Sequence, residues 1–358
     1  RFWESVRGVT PESAADVTGV PAEEIRKLAR EFAAATHAVW YGRVGACTQE
    51  FGGLTMWLIY AINIVTGRLD HVGGSMFPRP AVDPLSIAKY EGFGRWGSRV
   101  RGLPEFDGEL PTSAMAEEIL TPGSGQIRAM ITAAGNPALS SPNGRKLESG
   151  LAGLDFMVSI DIYLNETTRH ANIILPPTGG LEHENYDLAY HMLAIRNTAR
   201  FNQAVFAPAE DTRHDWEILL ELQARLRNRG PISGLASRIR RAILRRVGPE
   251  GLLALGLRFG PYGSKLRPWG RGLSLRRLKQ YPHGLDLGPL EPCLPGKLRT
   301  RSKRIELAPE PMVRDLRRLT ERFFSIDARK PSFVLIGRRN LRSNNSWMHN
   351  SERLVRGK

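Results

Sequence analysis

Ile127-Arg128-Ala129-Met130-Ile131-Thr132 runs directly into Ala133-Ala134-Gly135-Asn136-Pro137-Ala138-Leu139-Ser140-Ser141-Pro142. A short apolar run closed by Gly-Asn-Pro reads as a buried strand handing over to a helix. The pattern repeats outward. Residues 114–120 read as a helix before that strand and 140–151 as a helix after it. Phe156–Ile160 is a second strand, 166–169 a short helix, and 172–175 a third strand. Strands alternating with helices predict an α/β class with a mostly parallel, doubly wound sheet and helical insertions. An amphipathic helix over 214–227 closes this part.

The flanks read differently. Residues 1–36 hold two helices, opened by Thr10-Pro11-Glu12 and Pro21-Ala22-Glu23-Glu24; a cap residue, proline and an acid form a helix start. Residues 38–41 suggest a short strand, and a long helix ends at Thr66-Gly67. Residues 78–112 lack periodicity and read as a long excursion. Residues 304–307 and 333–336 are strand-like. The chain is expected to divide into 1–112, a helical α/β segment; 113–229, an α/β domain; 230–304, a basic connector; and 305–358, a last strand-bearing part. The family resemblance that the motifs below carry implies a cofactor-binding core in the first, a dinucleotide site in the second and the start of a β-barrel in the last.

Composition narrows the classes. With 358 residues, 41% hydrophobic and 24% charged, the chain can bury a core and is not disordered throughout. Its 2 cysteines cannot build a disulfide framework or a four-thiolate metal site. No apolar run is long enough to span a membrane; the richest, 51–65, is broken by Gly52, Gly53 and Asn63. The opening at Arg1 without Met suggests a piece of a longer protein or a processed one.

Charge is uneven. Residues 1–224 carry 19 Lys+Arg against 27 Asp+Glu, leaving 32 against 9 for 225–358 out of totals of 51 and 36. The densest run holds Arg238, Arg240, Arg241, Arg245 and Arg246 among Ile239, Ile243, Leu244 and Val247. A basic amphipathic helix suits a membrane surface or nucleic acid. It equally suits a solvated helix with one buried stripe, or a basic half packing on an acidic one. No nucleic-acid-binding motif accompanies it.

Candidate chemistry sits in the loops. Ligands of open parallel sheets bind at the carboxyl ends of strands. Gly135, Asn136 and Pro137 follow the first strand, where the next helix would offer free N–H groups to an anion. Asp161 follows the second; it could accept from a ribose hydroxyl or a guanine edge, or simply cap a helix. Glu182-His183-Glu184-Asn185-Tyr186-Asp187 is a polar cluster that fits a metal site, an acid/base pair or a satisfied loop. The 337–350 stretch gathers Gly337, Arg338, Asn344, Asn345, Trp347 and His349. Its guanidinium and amide groups suit a polyanionic heterocycle, so it is expected to fold toward the same cleft.

Taken in order, these segments resemble the molybdopterin oxidoreductase family, the dimethyl-sulfoxide-reductase superfamily of formate dehydrogenases and nitrate reductases. The matching pieces are Thr48-Gln49-Glu50-Phe51-Gly52, the 66–74 turn, Gly135-Asn136-Pro137, Ser159-Ile160-Asp161, the 171–176 strand, His214-Asp215-Trp216 and Ile336-Gly337-Arg338. The resemblance implies molybdenum or tungsten held by two molybdopterin guanine dinucleotides. It implies that Gln49 lies near a pterin, that Asn136 belongs to a dinucleotide loop, and that Asp161 and Asp215 recognise guanosine portions. His183 stands where many members carry lysine. Gly337, Arg338, Asn344 and Asn345 fall on a barrel loop that contacts pterin and phosphate.

The resemblance further implies a small-molecule substrate and an electron-transfer partner. Any [4Fe–4S] cluster would belong to an N-terminal domain of the same subunit, as would the protein ligand to the metal. Formate oxidation or nitrate reduction in the cytoplasm is the implied setting, with no nucleic acid, no membrane span, and no metal ligand or catalytic residue assigned within this chain. The rivals are a basic nucleic-acid or membrane-surface binding protein and a nucleotide-binding α/β enzyme without molybdenum.

Overall fold

The computed structural model describes residues 1–87, 92–226, 231–267, 270–325, 333, 335–337 and 340–356. The chain divides into two compact units. One comprises Arg1–Arg79, Met192–Asn197 and Leu287–Arg339; the other comprises Pro80–His191, Thr198–Asp286 and Asn340–Lys358.

The first unit is mainly helical among its described residues. Thr10 caps Pro11–Thr18 through a reciprocal bond with Ser13, as the sequence suggested. Ala22–Ala34 follows, then the apolar helix Gly52–Val65. Gly52 allows a close approach, because a Cβ there would lie 2.0 Å from the Cys47 carbonyl oxygen. Phe51 and Leu54 pack with Leu316 of the amphipathic helix Glu310–Phe324, joined by Val6, Trp57, Leu58, Leu319 and Phe323. The Trp57 indole N–H donates to the Leu307 carbonyl at 3.0 Å. Two strand expectations fail here. Residues 38–41 form no strand, because the Asn63 side chain takes the Trp40 backbone N–H at 3.1 Å and its carbonyl at 2.9 Å. Residues 304–307 form none either; they lead into the Glu310 helix. No described residue beyond Gly288 lies in a strand.

The second unit holds the parallel sheet, Ala129–Ala133, Phe156–Ile160 and Ile173–Ile174 in that order. Pairing sets Ala133 opposite Ile160, so both strands end level. Buried Thr132 and Ser159 hydroxyls meet at 2.8 Å across the two strands. Gly144–Ala152 packs Leu147 and Leu151 against Met157, with Ala116 and Ile119 of Met115–Leu120 completing the core. Each such large apolar side chain contributes about 1.5–3 kcal/mol on burial.

The 78–112 excursion is more ordered than its sequence suggests. Phe93–Gly97 and Pro104–Phe106 form an antiparallel hairpin. Its anchor is Glu105, which accepts from the Arg95 guanidinium at 2.5 Å, the Arg95 backbone N–H at 3.1 Å and the Gly108 N–H at 2.8 Å. The basic connector expected after residue 230 begins with one long helical segment, Pro231–Phe259, bent at Gly248-Pro249. Gly248 has φ 61° and ψ 178°, a conformation that a Cβ disfavours.

Candidate functional site

The second unit holds two groups of candidate side chains, the first at the carboxyl ends of the sheet strands. The first surrounds Asn136. The chain leaves the strand through Ala134, held at φ 50°, whose N–H donates to the Ile160 carbonyl at 2.9 Å. Asn136 is buried. Its amide N–H donates to Glu166 at 2.8 Å and its amide oxygen accepts from the Thr167 hydroxyl at 2.7 Å. Asp161 lies in the same loop cluster: Asn165 donates to it at 3.3 Å, while the Asn165 oxygen accepts from the Thr167 and Thr168 N–H groups at 3.0 Å. Asp161 also accepts from the Tyr163 N–H at 2.9 Å.

The expected anion cradle at the following helix is altered. Pro137–Ser140 is one turn long, Pro137 has no N–H, and the Ala138 N–H donates to the Thr167 hydroxyl at 3.0 Å. The loop amides remain: among the described residues the Gly135 and Asn136 backbone N–H groups donate to no protein acceptor. Glu166 is held below the usual carboxylate range by the Asn136 amide, with help from its own backbone N–H and from the Arg169 and His349 charges.

The second group lines a cavity of about 600 Å³. It is lined by His183, Tyr186, Asp215 and Trp216 together with Gly248, Pro249, Glu250, Leu252 and Leu253. Asp215 opens the helix Asp215–Leu226, beside a bridge between Pro177 and Arg213 that extends the third strand's path. His214 Nδ1 lies 2.8 Å from the Thr178 hydroxyl, and its ring stacks on Trp216 at 6.5 Å and meets His183 edge-on at 6.2 Å. His183 Nδ1 lies 3.1 Å from the Glu184 carbonyl. The Tyr186 hydroxyl is buried without a partner, and burial pushes its pKa up to about 12, so it remains a neutral donor.

The other sequence candidates are dispersed. Gln49 belongs to the first unit, is exposed, and donates to the Gly45 carbonyl at 3.3 Å. Gly337 is exposed in that unit, and Arg338 lies outside the described residues. Asn344 and Asn345 are exposed in the second unit, Asn345 with φ 53°. Trp347 is 75% exposed, so its indole is not buried in a cleft as expected. His349 of this loop reaches the first group, through its charge on Glu166. Among the described residues no three metal-ligating side chains converge.

Sequence reading passed over Glu166 and Thr167, which do most to fix Asn136. The available signal was a Glu-Thr-Thr run after a strand end, where hydroxyls commonly satisfy loop amides. It also passed over the wall from Gly248 to Leu253.

Comparison with known proteins adds the lineage. A family model described as molybdopterin oxidoreductase matches residues 25–225. The chain is similar to formate dehydrogenase H of Escherichia coli, 30% identical over 251 residues, covering 63% of this chain and 33% of that protein. It is similar to the assimilatory nitrate reductase catalytic subunit of Bacillus subtilis, 30% identical over 131 residues, 37% of this chain and 17% of that one. The fold matches acetylene hydratase from Pelobacter acetylenicus with a TM-score of 0.51 at 19% identity, covering 62% of this chain and 34% of that one. The chain thus spans about a third or less of the length of these proteins.

Proposed function

The chain belongs to the molybdopterin oxidoreductase family, and from that membership we propose that it is the cofactor-cradling part of a redox catalytic subunit using a molybdenum or tungsten bis(molybdopterin guanine dinucleotide). When bound, that group would exchange electrons with a small-molecule substrate at its metal. In this reading the chain's own residues bind and orient it.

What supports the reading is the donor set around the two groups. A dinucleotide needs N–H donors for its pyrophosphate, and the Gly135 and Asn136 amides are unspent. Guanine needs a carboxylate for its N1–H and 2-amino edge, which Asp161 or Asp215 would supply. Glu166 stays ionised and would accept from ribose hydroxyls rather than face a phosphate. Tyr186 lines a cavity of about 600 Å³, within the range of small-ligand sites, and its buried hydroxyl has no protein partner. That unpartnered donor is the single observation that carries the proposal: burial without a partner costs about 1–3 kcal/mol, which a ligand acceptor would restore.

Gln49, His183, Gly337, Arg338, Asn344 and Asn345 are assigned to pterin and phosphate contacts on the same reading. Residues 113–229 would bind a dinucleotide, 1–112 would complete the core, 230–304 would connect, and 305–358 would begin a barrel. Formate oxidation or nitrate reduction in the cytoplasm, with an electron-transfer partner, is the activity proposed. A [4Fe–4S] cluster and the metal's protein ligand would come from sequence outside this chain.

The test is calorimetric titration of the full chain with GMP and with AMP, in wild type and Asp215→Asn. Expected are binding of GMP, at least tenfold weaker binding of AMP, and loss of that preference in the variant. Equal affinity for both nucleotides, or binding of neither, would overturn the assignment.

A further inference from the structure

The basic helix remains unexplained by the cofactor reading, because its charges do not all turn inward. In the arm from residue 231 to 247, Ser237 and Arg241 face the helix Asp215–Leu226: the Ser237 hydroxyl reaches the Ala224 carbonyl at 3.3 Å and Arg241 pairs with Glu221 at 2.9 Å. Leu244 and Val247 are partly buried. The opposite side is open. Leu235, Ile239 and Ile243 are 60%, 53% and 57% exposed, and at four-residue spacing they form one ridge with Ala242. Arg238 and Arg245 border it on one flank and Arg240 on the other, with Arg246 near its end; all four are exposed. None of these four is in an ion pair among the described residues. No Asp or Glu occurs in residues 231–247.

We propose that this arm is a docking surface for an anionic lipid bilayer, with the ridge entering the acyl boundary and the four arginines lying among the headgroups. The ridge argues against nucleic acid, whose phosphates would need the arginines but not three exposed branched apolar chains. The uniform sign argues for a bilayer over a protein. A protein partner sets register through mixed charges, whereas a membrane is laterally uniform and asks only for sign and an apolar edge. Long arginine stems can lie along the apolar boundary while their guanidinium groups reach phosphate. The helix lies flat in such a contact and does not cross; no described helix is long and apolar enough to do so. The inference stands independently of the cofactor assignment.

The test uses the full chain with sedimenting vesicles of phosphatidylcholine alone and with about one third phosphatidylglycerol. Expected is binding to the anionic vesicles and at least tenfold less to the neutral ones. Each arginine replaced by glutamine among positions 238, 240, 245 and 246 should lower partitioning about fivefold. The double variant Ile239→Ser/Ile243→Ser keeps every charge and should still lose at least tenfold, with its far-ultraviolet circular dichroism unchanged. Failure to bind anionic vesicles overturns the proposal, as does binding of duplex DNA in their place. Full binding by the serine variant would reduce the contact to charge alone and equally overturn it.

Discussion

At the scale of single residues, two buried polar groups show how context decides sign. Tyr186 carries a hydroxyl that no protein atom satisfies. Tyr186→Phe should therefore stabilise the ligand-free chain by about 1 kcal/mol, read from urea unfolding, while weakening GMP binding in the same titration as above. Destabilisation together with unchanged binding would mean that the hydroxyl has another partner. Glu105 is the opposite case, an inaccessible carboxylate ringed by donors. The Arg95 side chain holds it below the usual carboxylate range, aided by the Gly108 and Arg95 N–H groups. A depressed folded-state pKa gives stability that is present above the unfolded value, about 4.3, and lost as pH falls through the folded value. Hydrogen exchange at Arg95 and Gly108 should accelerate in that acid range in wild type; in Glu105→Gln it should be fast already at neutral pH. Neither role could be read from the sequence. Glu105 matters because Arg95 is ten residues away across a turn, and Tyr186 because Pro249 and Leu253, distant in sequence, line the same cavity.

At the scale of elements, legibility followed how local the stabilising contacts are. Phe156–Ile160 was read to the residue because its last four side chains are all buried and turns bound it on both sides. The hairpin of Phe93–Gly97 and Pro104–Phe106 escaped notice because glycine and proline dilute its strand character and a charge pair anchors it. Glu310–Phe324 was legible but missed: Val313, Leu316, Leu319 and Phe323 recur at helical spacing behind Pro309. The bend at Gly248 shows what a single backbone position does for an element. Gly248→Ala places a Cβ at φ 61° and ψ 178°, which should cost on the order of 1–3 kcal/mol. The measurement is the urea midpoint together with GMP affinity, since Pro249, Leu252 and Leu253 wall the cavity. An unchanged midpoint and affinity would show that the bend relaxes freely.

At the scale of the whole molecule, the cysteine inventory gives a clear expectation. Anaerobic reconstitution of this chain with iron and sulfide should leave both far below cluster stoichiometry, because Cys47 and Cys293 are the only thiols; one cluster per chain would contradict it. The Cys293 thiol is also turned toward a carboxylate: Asp70 accepts from the Cys293 and Leu294 backbone N–H groups at 2.6 Å each, and burial and that charge push the thiol's pKa up. These bonds join residues more than two hundred positions apart, and so does the packing of Leu54 on Leu316. The first unit is therefore woven from stretches far apart in the sequence. During synthesis the apolar helix Gly52–Val65 leaves the ribosome long before Glu310–Phe324 exists to cover it. At roughly 5–20 residues per second the wait lasts on the order of tens of seconds. Through that interval Phe51 and Leu54 lack their Leu316 partner, so chaperone capture and translation speed should affect the yield of folded chain as well as its final stability.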